Sequence, residues 1–368
     1  MTANYYNPVH TVYGAGALSS LPKLLRGRRA AVVTFPEARM LGLVSKLEDI
    51  LGPQLACVID RIHPNPDVQE LSETYDAFWR DHADVEVIIA VGGGSAIDTA
   101  KALMVANDSG RFAQLVAGLA DEQPFTPTRF KALIAVPTTA GTGSEVTPWA
   151  TIWDRARQKK HSLHLPQTWP ECALIDPQLM LSLPASVTLQ SGLDALSHAL
   201  ECIWNINANP VSDALAVTAI HEIFEVLPKL MLQLGDVELR GRMALAAMQA
   251  GLAFSNTKTA LAHSISYEMT LRYGLAHGIA CSFSLPMVLR SAIGQRPDRD
   301  AVLTRALGTP LAEAPERLAA FIEGLGVKTN FGDYGVSDQE AQEMVQHAQG
   351  GARGKNFIGH KVLLETRT

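Results

Sequence analysis

The amino-acid sequence predicts two domains, an α/β domain with a parallel sheet over residues 1–184 and an all-helical domain over residues 185–368. Three observations support this prediction. In the first half, β-rich runs alternate with helical patterns, which is typical of a parallel sheet covered by helices. The β-rich runs are almost wholly apolar, as expected for strands buried on both faces. From about Thr188 onward, helical patterns follow one another with almost no β-rich run between them.

The individual elements follow from the spacing of apolar residues. In the first domain, strands are predicted over 30–34, 55–59, 85–91 and 132–136, and helices over 41–51, 68–79 and from about 96 onward. In the second domain, helices are predicted over 188–205, 210–233, 237–254, 258–270 and 276–292, with a shorter and more polar set between 297 and 350. The segment from Asp176 to Ala185 is the predicted junction.

Composition excludes several classes of function. The 368 residues carry a formal net charge of −6 with scattered basic residues, which argues against nucleic-acid binding. Neither a signal-peptide pattern nor an apolar run of membrane-spanning length is visible, so we expect a cytoplasmic protein that binds no membrane. The four cysteines are widely spaced and are predicted to be reduced thiols: Cys57, Cys172, Cys202 and Cys281. A homodimer is the default assembly.

A glycine-rich segment follows the third predicted strand. Residues 92–95, GGGS, lead from strand 85–91 into the next helix. Glycines allow close approach of a ligand, and free N–H groups at a helix start attract an anion such as a pyrophosphate. The alternative interpretation is a tight structural turn. No carboxylate follows the first strand, where Thr34, Phe35 and Pro36 stand, and Arg39 is close by; this favours NADPH over NADH.

A second polar segment, residues 137–147 (PTTAGTGSEVT), follows the fourth predicted strand. Its threonines, glycines and serine provide short hydrogen-bonding groups on a flexible backbone, which suit phosphate, ribose or carboxamide groups. The alternative interpretation is a helix-capping loop, because serine and threonine favour caps.

Asp194 and His198 are four residues apart in a predicted helix and therefore share one face, among leucines and alanines. A buried carboxylate and imidazole require a partner, and a divalent metal is one. His263 and His277 have apolar or small neighbours, although a single such histidine is more often an ordinary buried one. One carboxylate and three imidazoles together suit Fe(II) or Zn(II) with an open position for a substrate oxygen.

With these motifs the sequence resembles the iron-containing (group III) alcohol dehydrogenases, from Tyr13 to about Ala280. The matching segments are GGGSAIDTAK at 92–101, PTTAGTGSEVT at 137–147, DP and LP within 176–184, GLDALSHALE at 192–201, and the pair His263 and His277. The resemblance implies a nucleotide-binding α/β domain, a helical metal-binding domain and an active site between them. It also implies NAD(P)-linked hydride transfer between an aldehyde and an alcohol.

The resemblance assigns roles to individual residues. It places metal ligands at Asp194, His198, His263 and His277. The predicted cofactor-binding residues are Asn65, Gly93, Gly94, Ser95, Asp98, Thr138, Thr139, Thr142, Ser144, Lys160 and Leu179. Tyr267 and His277 are predicted to be catalytic. Tyr267 stands where many members have another histidine, and its usual pKa near 10 makes it a poorer base at neutral pH.

Within the family, Tyr5-Tyr6-Asn7-Pro8 and residues 263–267 (HSISY) resemble phosphonoacetaldehyde reductases, which form 2-hydroxyethylphosphonate. A dianionic substrate needs cations, and Lys258 and Arg272 are the predicted ones, with Arg353 and Lys355 further along the chain. Each of these alone is compatible with a solvated surface charge.

Several alternatives stay open at the level of sequence. A general short-chain alcohol dehydrogenase and a maleylacetate reductase-like enzyme are alternatives within the same chemistry. A lyase similar to dehydroquinate synthase and a non-catalytic scaffold belong to other classes. The intact metal and loop motifs argue against the last two.

Overall fold

The computed structural model describes residues 4–120, 124–157 and 159–359. By the pattern of contacts the chain divides into two compact units. The α/β unit consists of Pro8–Thr139 and Ser144–Met180. The helical unit contains the described residues of Met1–Asn7, Ala140–Gly143 and Leu181–Thr368.

The α/β unit contains ten strands and five α-helices in its described residues. In chain order these are β1 His10–Tyr13, α1 Leu21–Leu25, β2 Ala30–Thr34, α2 Leu43–Leu51, β3 Leu55–Ile59, α3 Val68–Asp81, β4 Val87–Gly92, α4 Gly94–Leu103, β5 Val105–Ala106, α5 Phe112–Leu119, β6 Arg129–Phe130, β7 Ala132–Pro137, β8 Trp149–Asp154, β9 Lys159–His164 and β10 Cys172–Ile175.

Six of these strands form one parallel sheet with the order β1-β10-β7-β4-β2-β3. Successive side chains of a strand point to opposite faces. Accordingly, Val33 and Ile88 pack in the core on one face, while Val32 and Ile89 pack in the core on the other. The predicted parallel sheet is confirmed. The flanking strands β1 and β10, and the short antiparallel pairs β5–β6 and β8–β9, are absent from the sequence prediction.

The strand order reverses beside β2. The chain passes from β2 to β3 on one side, and then returns to β4 on the other side. In doubly wound sheets, ligands bind outside the carboxyl ends of the strands at such a reversal. The segments after Thr34 and Gly92 begin at these ends.

The described part of the helical unit contains nine α-helices and no strand of the sheet. They are α6 Ala185–Ile203, α7 Pro210–Leu232, α8 Val237–Thr257, α9 Leu261–Tyr273, α10 His277–Ser282, α11 Leu285–Ala292, α12 Pro297–Leu307, α13 Ala314–Gly324 and α14 Asp338–Gly350. This confirms the predicted all-helical domain. Within the described residues, no helix combines the length and the apolar character that crossing a membrane requires.

Two helix predictions need correction. The single helix predicted over 276–292 is two helices, α10 and α11, because Pro286 lacks an N–H and its ring would clash with the carbonyl of Ser282. The helix predicted over 258–270 begins at Leu261, because Lys258 has a left-handed φ of 66° that a helix cannot include.

Candidate metal centre and cofactor loops

Three helices of the helical unit bring one carboxylate and three imidazoles together. Asp194 and His198 lie on α6, His263 lies in the first turn of α9, and His277 begins α10. The Nε2 atoms of His198, His263 and His277 lie 3.9, 3.4 and 3.9 Å from a single oxygen, Asp194 Oδ1. The structure thus groups all four sequence-predicted ligands.

Close packing of α10 on α6 positions His277. A Cβ atom on Gly278 would lie 1.9 Å from the carbonyl oxygen of Gln190, one turn before Asp194. On the other side of α6, a Cβ atom on Gly192 would lie 2.7 Å from Leu227 of α7. Only glycine at 278 lets α10 approach the backbone of α6 this closely, and glycine at 192 leaves room for the Leu227 side chain.

The orphaned polar atoms of the centre fit a bound cation. Asp194, His198 and His263 are buried. Asp194 Oδ1 and His263 Nε2 have no hydrogen-bond partner among the described residues, although they are 3.4 Å apart. Burying polar atoms without partners is costly, and a divalent cation coordinated by both would satisfy them. Carboxylate and imidazole donors suit Fe(II) and Zn(II).

The local electrostatics also favour a positive charge. Burial works against ionisation of Asp194, but the neighbouring imidazoles of His198, His263 and His277 outweigh it and lower the pKa of the carboxyl group. Burial lowers the pKa of His198 to about 4, so this imidazole is neutral at physiological pH, as a ligand must be.

Glu201 orients His263 and is the first functional residue that sequence reasoning missed. Its buried carboxylate accepts hydrogen bonds from the backbone N–H groups of Ala260, Ala262 and His263. It also lies 2.7 Å from His263 Nδ1. Because a carboxylate only accepts, Nδ1 carries the proton, which leaves Nε2, 3.4 Å from Asp194 Oδ1, as the nitrogen that can bind a metal. The signal was the spacing on α6, since Glu201 follows Asp194 by seven residues.

His198 is held by a carbonyl and by ring stacking. Its Nδ1 lies 3.4 Å from the oxygen of Gly141. Its ring stacks between Phe254, at 4.2 Å, and His263, at 4.5 Å between centroids. A Cβ atom on Gly141 would lie 2.6 Å from the oxygen of Ser191, so the loop can approach α6 this closely only as glycine.

Cys281 is the second residue that the sequence interpretation missed, since it was predicted to be an ordinary buried thiol. It lies one turn after His277, with Sγ 3.5 Å from His277 Nε2. Its ligand atom and those of Asp194, His263 and His277 all lie within 4.8 Å of one another. This tight group contains Cys281 and omits His198, whose Nε2 still lies 3.9 Å from Asp194 Oδ1.

Tyr267 follows His263 by one helical turn on α9. Its hydroxyl oxygen is buried, and burial raises the pKa of the phenol above its ordinary 10.0, while the charges of Arg353 and His263 act in the opposite direction. The guanidinium of Arg353 lies over the Tyr267 ring, 5.0 Å from its centroid. The phenol is therefore protonated at neutral pH.

The two cations predicted to face the substrate, Lys258 and Arg272, have other partners in the structure, and their contact with a substrate stays a prediction. Arg272 is half-exposed and pairs with Glu268 and, at 3.4 Å, with Glu340. Its charge is therefore shared with two carboxylates. Lys258 adopts a left-handed backbone at the end of α8, and its carbonyl accepts a hydrogen bond from Asn205.

In the α/β unit, the glycine-rich segment packs against the start of the second loop. A Cβ atom on Gly92 would lie 2.6 Å from Ala96, and one on Gly93 would lie 3.3 Å from Thr139. Thr138 N donates to Gly92 O at 2.9 Å. Gly94 begins α4, so its free N–H groups stand at the carboxyl edge of β4, as an anion site requires.

Ser95 and Asn65 meet at this edge. Ser95 Oγ accepts a hydrogen bond of 3.1 Å from Asn65 N, and Asn65 is held in a left-handed conformation with φ 60°. Asparagine tolerates this backbone better than most residues. The two residues, distant in the sequence, are thus neighbours at the end of the sheet.

Asp98 and Ser144 are part of a polar network built on Lys101. Asp98 accepts from Ser144 Oγ at 2.7 Å and from Thr151 N at 2.8 Å. Lys101 Nζ donates to Ser144 O, Ser144 Oγ and Trp149 O at 2.6–2.8 Å. Burial lowers the pKa of Lys101 to about 8. The structure shows these residues joining α4 to the segments around β8; their cofactor contact stays a prediction.

The remaining predicted cofactor residues lie in separate places. Lys160 is on β9, with Nζ 5.2 Å from the Trp153 ring centroid. Leu179 follows β10 and is half-buried against the core on one face of the sheet. Thr142 belongs to the helical unit, whereas Thr138 and Thr139 belong to the α/β unit.

The preference for NADPH loses part of its basis. Arg39, expected to be available for a 2′-phosphate, forms an ion pair with Asp60, which follows β3. No carboxylate stands directly after β2, where Phe35 and Pro36 follow. Thr34, the last residue of β2, donates a hydrogen bond to Val91 O.

Comparison with known proteins identifies the family. A family model for iron-containing alcohol dehydrogenase matches residues 8–177, and one for the C-terminal part of the Fe-containing alcohol dehydrogenase family matches residues 188–358. The chain belongs to the iron-containing alcohol dehydrogenase family. This membership confirms the predicted oxidoreductase of the alcohol dehydrogenase type.

Two curated relatives match almost end to end. An NAD-dependent methanol dehydrogenase of Bacillus methanolicus is 33% identical over 361 residues, covering 94% of this chain and 93% of the relative. A 1,3-propanediol dehydrogenase of Klebsiella pneumoniae is 30% identical over 363 residues, covering 94% and 92%.

Solved structures agree in fold. Sulfoacetaldehyde reductase from Bifidobacterium kashiwanohense, in complex with NAD+, superposes with a TM-score of 0.87 at 27% identity, covering 97% of this chain and 94% of that one. An iron-containing alcohol dehydrogenase from Thermotoga maritima gives 0.82 at 29% identity, with 98% and 96% covered.

Proposed function

We propose that this protein is a metal-dependent, NAD(P)H-linked reductase of short aldehydes that carry an anionic group, with phosphonoacetaldehyde as the substrate and 2-hydroxyethylphosphonate as the product. The observation that carries the metal-dependent chemistry is the convergence of three histidine Nε2 atoms on Asp194 Oδ1, within 3.4–3.9 Å.

Asp194, His198, His263 and His277 would hold the metal, and Glu201 would keep His263 in its ligating tautomer. A bound Fe(II) or Zn(II) supplies a Lewis acid that stabilises developing negative charge on a carbonyl oxygen. The protein contributes a buried, water-poor site in which such stabilisation is stronger than in water. The donor set accepts either metal.

The glycine-rich segment and the threonine-rich loop would bind the cofactor. Gly93, Gly94 and Ser95 would hold the pyrophosphate at the start of α4, as free helix N–H groups do for anions. The dinucleotide supplies the hydride. NADH is the first cofactor to test, since the Bacillus methanolicus relative is NAD-dependent and Arg39 is paired with Asp60.

Tyr267 would donate the proton to the product oxygen. Its raised pKa keeps the phenol protonated through neutral pH, so it acts as an acid in the reductive direction. Because reduction requires an acid at this position, the weakness of tyrosine as a base at neutral pH does not oppose this role. A water molecule or a ribose hydroxyl is the alternative donor.

The anionic substrate is supported by the similarity to sulfoacetaldehyde reductase, whose name describes a two-carbon aldehyde with a sulfonate group. A phosphonate is a close chemical analogue of a sulfonate. The second candidate is a dehydrogenase of short neutral alcohols, which the methanol and 1,3-propanediol dehydrogenases favour.

The test is a steady-state screen of NADH and NADPH oxidation after loading with Fe(II) or Zn(II). The substrates are phosphonoacetaldehyde, sulfoacetaldehyde, succinic semialdehyde, maleylacetate and propanal. We expect the highest kcat/KM with phosphonoacetaldehyde. A higher kcat/KM with propanal would replace the proposed substrate by the neutral one, and no oxidation with any aldehyde would exclude the reductase.

A further inference from the structure

Arg353 is a half-buried cation beside the candidate metal centre. Its guanidinium lies 5.0 Å from the centroid of the Tyr267 ring, and Tyr267 lies one helical turn after His263. Side chains one turn apart on a helix are neighbours, at about 5–6 Å between Cβ atoms. Arg353 is thus two side chains away from a metal ligand.

No carboxylate of the described residues pairs with Arg353, in contrast to Arg272, which pairs with Glu268 and Glu340. A cation that is partly withdrawn from water without a counter-ion loses solvation free energy. An anionic ligand would restore that free energy. The contact with the Tyr267 ring compensates only in part, since cation–π interactions are weaker than ion pairs in a desolvated site.

The backbone around Arg353 is firmly anchored. Asn356 Nδ2 donates to Thr259 O at 2.8 Å, and its carbonyl accepts from Ile206 N at 2.8 Å. Ile358 N donates to Trp204 O at 3.2 Å. A Cβ atom on Gly354 would lie 2.0 Å from Ala348 O, so the chain turns there against the end of α14. These contacts hold Arg353 beside Tyr267 in advance of any ligand.

We propose that Arg353 binds the anionic head group of the aldehyde substrate, a phosphonate or a sulfonate. The planar guanidinium donates two parallel hydrogen bonds to such oxyanions, and it would place the aldehyde carbon towards His263 and Tyr267. This assignment rests on the proposed function, and it transfers the role predicted for Arg272 to a cation that pairs with no carboxylate in the part of the chain that the structure describes.

The test compares metal-loaded wild-type enzyme with Arg353→Gln and Arg353→Lys, and with Arg317→Gln as a matched control at an exposed arginine of α13. Kinetics are measured with phosphonoacetaldehyde, sulfoacetaldehyde and propanal. We expect Arg353→Gln to raise KM for the two anionic aldehydes, lowering kcat/KM by about 10- to 100-fold, the range for a lost charge-assisted contact. Propanal should change less than about twofold, and Arg353→Lys should fall between.

The decrease in kcat/KM caused by Arg353→Gln distinguishes the phosphonate from the sulfonate. It should be larger for phosphonoacetaldehyde if the site prefers a dianion. An equal loss with propanal would show that Arg353 only supports Tyr267, and it would overturn the assignment. Unchanged kinetics of Arg353→Gln with the anionic aldehydes would overturn it as well.

A binding measurement separates this inference from the proposed reaction. Calorimetric titration of metal-loaded enzyme with methylphosphonate and methanesulfonate requires no turnover. Binding to the wild type that weakens at least about tenfold in Arg353→Gln supports the anion site, even if no aldehyde is reduced. Absence of binding to the wild type, or equal binding to both proteins, overturns it.

Discussion

At the scale of single residues, Glu201 and Asp194 act on opposite nitrogens of His263. Glu201 accepts from Nδ1 at 2.7 Å, and Asp194 Oδ1 lies 3.4 Å from Nε2. The ring therefore cannot rotate or change tautomer without losing a buried charged partner. Such outer partners of metal ligands raise affinity because they orient the ligand before the metal arrives.

Glu201→Gln removes the negative charge and replaces one carboxylate oxygen by an NH2 group that cannot accept, so either Ala260 N and His263 Nδ1 or Ala262 N and His263 N lose their acceptor. We expect the metal affinity to fall by about 10- to 100-fold. Competition with a chromophoric chelator measures it. The exposed change Glu323→Gln on α13 is the control, and an unaltered affinity in Glu201→Gln would show that Glu201 only stabilises the fold.

Tyr267→Phe tests the proton donor while keeping the ring beneath Arg353. We expect kcat for reduction to fall by about 100-fold, a typical effect of losing a general acid. Metal content should not change. Since burial raises the pKa of Tyr267, the phenol loses its proton only above its ordinary 10.0, so the decline of reductase activity that Tyr267 causes should lie above pH 10.

The measurement for Tyr267→Phe is the pH profile of single-turnover cofactor oxidation, with metal analysis of the same samples. An unchanged rate would assign proton donation to water or to a cofactor hydroxyl.

At the scale of elements, the metal centre depends on how closely α10 approaches α6. Gly278 of the short helix α10, next to His277, packs against the carbonyl oxygen of Gln190 on α6. The same principle governs α4, where buried Lys101 joins its helix to Ser144 and Trp149. In each case one residue makes the contact possible. Gly278 leaves room for α6, and Lys101 donates hydrogen bonds to Ser144 and Trp149.

Gly278→Ala should push α10 away from α6, because the new Cβ atom would lie 1.9 Å from Gln190 O. We expect a loss of about 1–3 kcal/mol of stability, as for other overpacked sites. His277 would move with its helix, so metal affinity should also fall by at least about tenfold. Thermal unfolding and chelator competition measure the two effects.

Gly324→Ala on α13 is the matched control. No heavy atom lies within 4 Å of its Cβ position. Alanine is about 0.5–1 kcal/mol better than glycine within a helix, so this variant should be at least as stable as the wild type. If Gly278→Ala behaves in the same way, the α6–α10 contact is not tight.

Strands and helices were predicted correctly where the pattern of apolar residues along the sequence matched the element that forms. β2, β4 and β7 were predicted within two residues because their short apolar runs, such as Ala30–Thr34, are typical of parallel strands buried on both faces. β9 was missed because its sequence, KKHSLH, is polar and is organised by pairing with β8. The break between α10 and α11 was missed because the apolar period continues through Pro286.

At the scale of the whole molecule, each unit has its own apolar interior, and the metal ligands all belong to the helical unit. A metal that binds the folded state alone stabilises it by about 2.7 kcal/mol at a free concentration of 100 times Kd. For a unit of roughly 150–250 residues this corresponds to about 5–10 °C in Tm.

Removing the metal should therefore lower the apparent Tm by about 5–10 °C, and adding Fe(II) or Zn(II) back should restore it. Differential scanning calorimetry before and after chelator dialysis measures the change. His263→Ala is the control, since it should show no response to added metal. If the Tm of the wild type does not change on removal of metal by the chelator, the protein does not hold a metal at Asp194, His198, His263 and His277.

By itself, the sequence determined the order of the two domains, the glycine-rich and threonine-rich segments, and the pair Asp194 and His198, because periodicity and local spacing carry this information. His263 and His277 joined that pair mainly through the resemblance to the family. Only the tertiary structure decided the contacts between distant segments: Glu201 on His263, Cys281 in one group with Asp194 and His263, and Arg353 over Tyr267. Burial and charge pairing create these relations when the chain folds, and no local pattern encodes which distant partner a buried charge will meet.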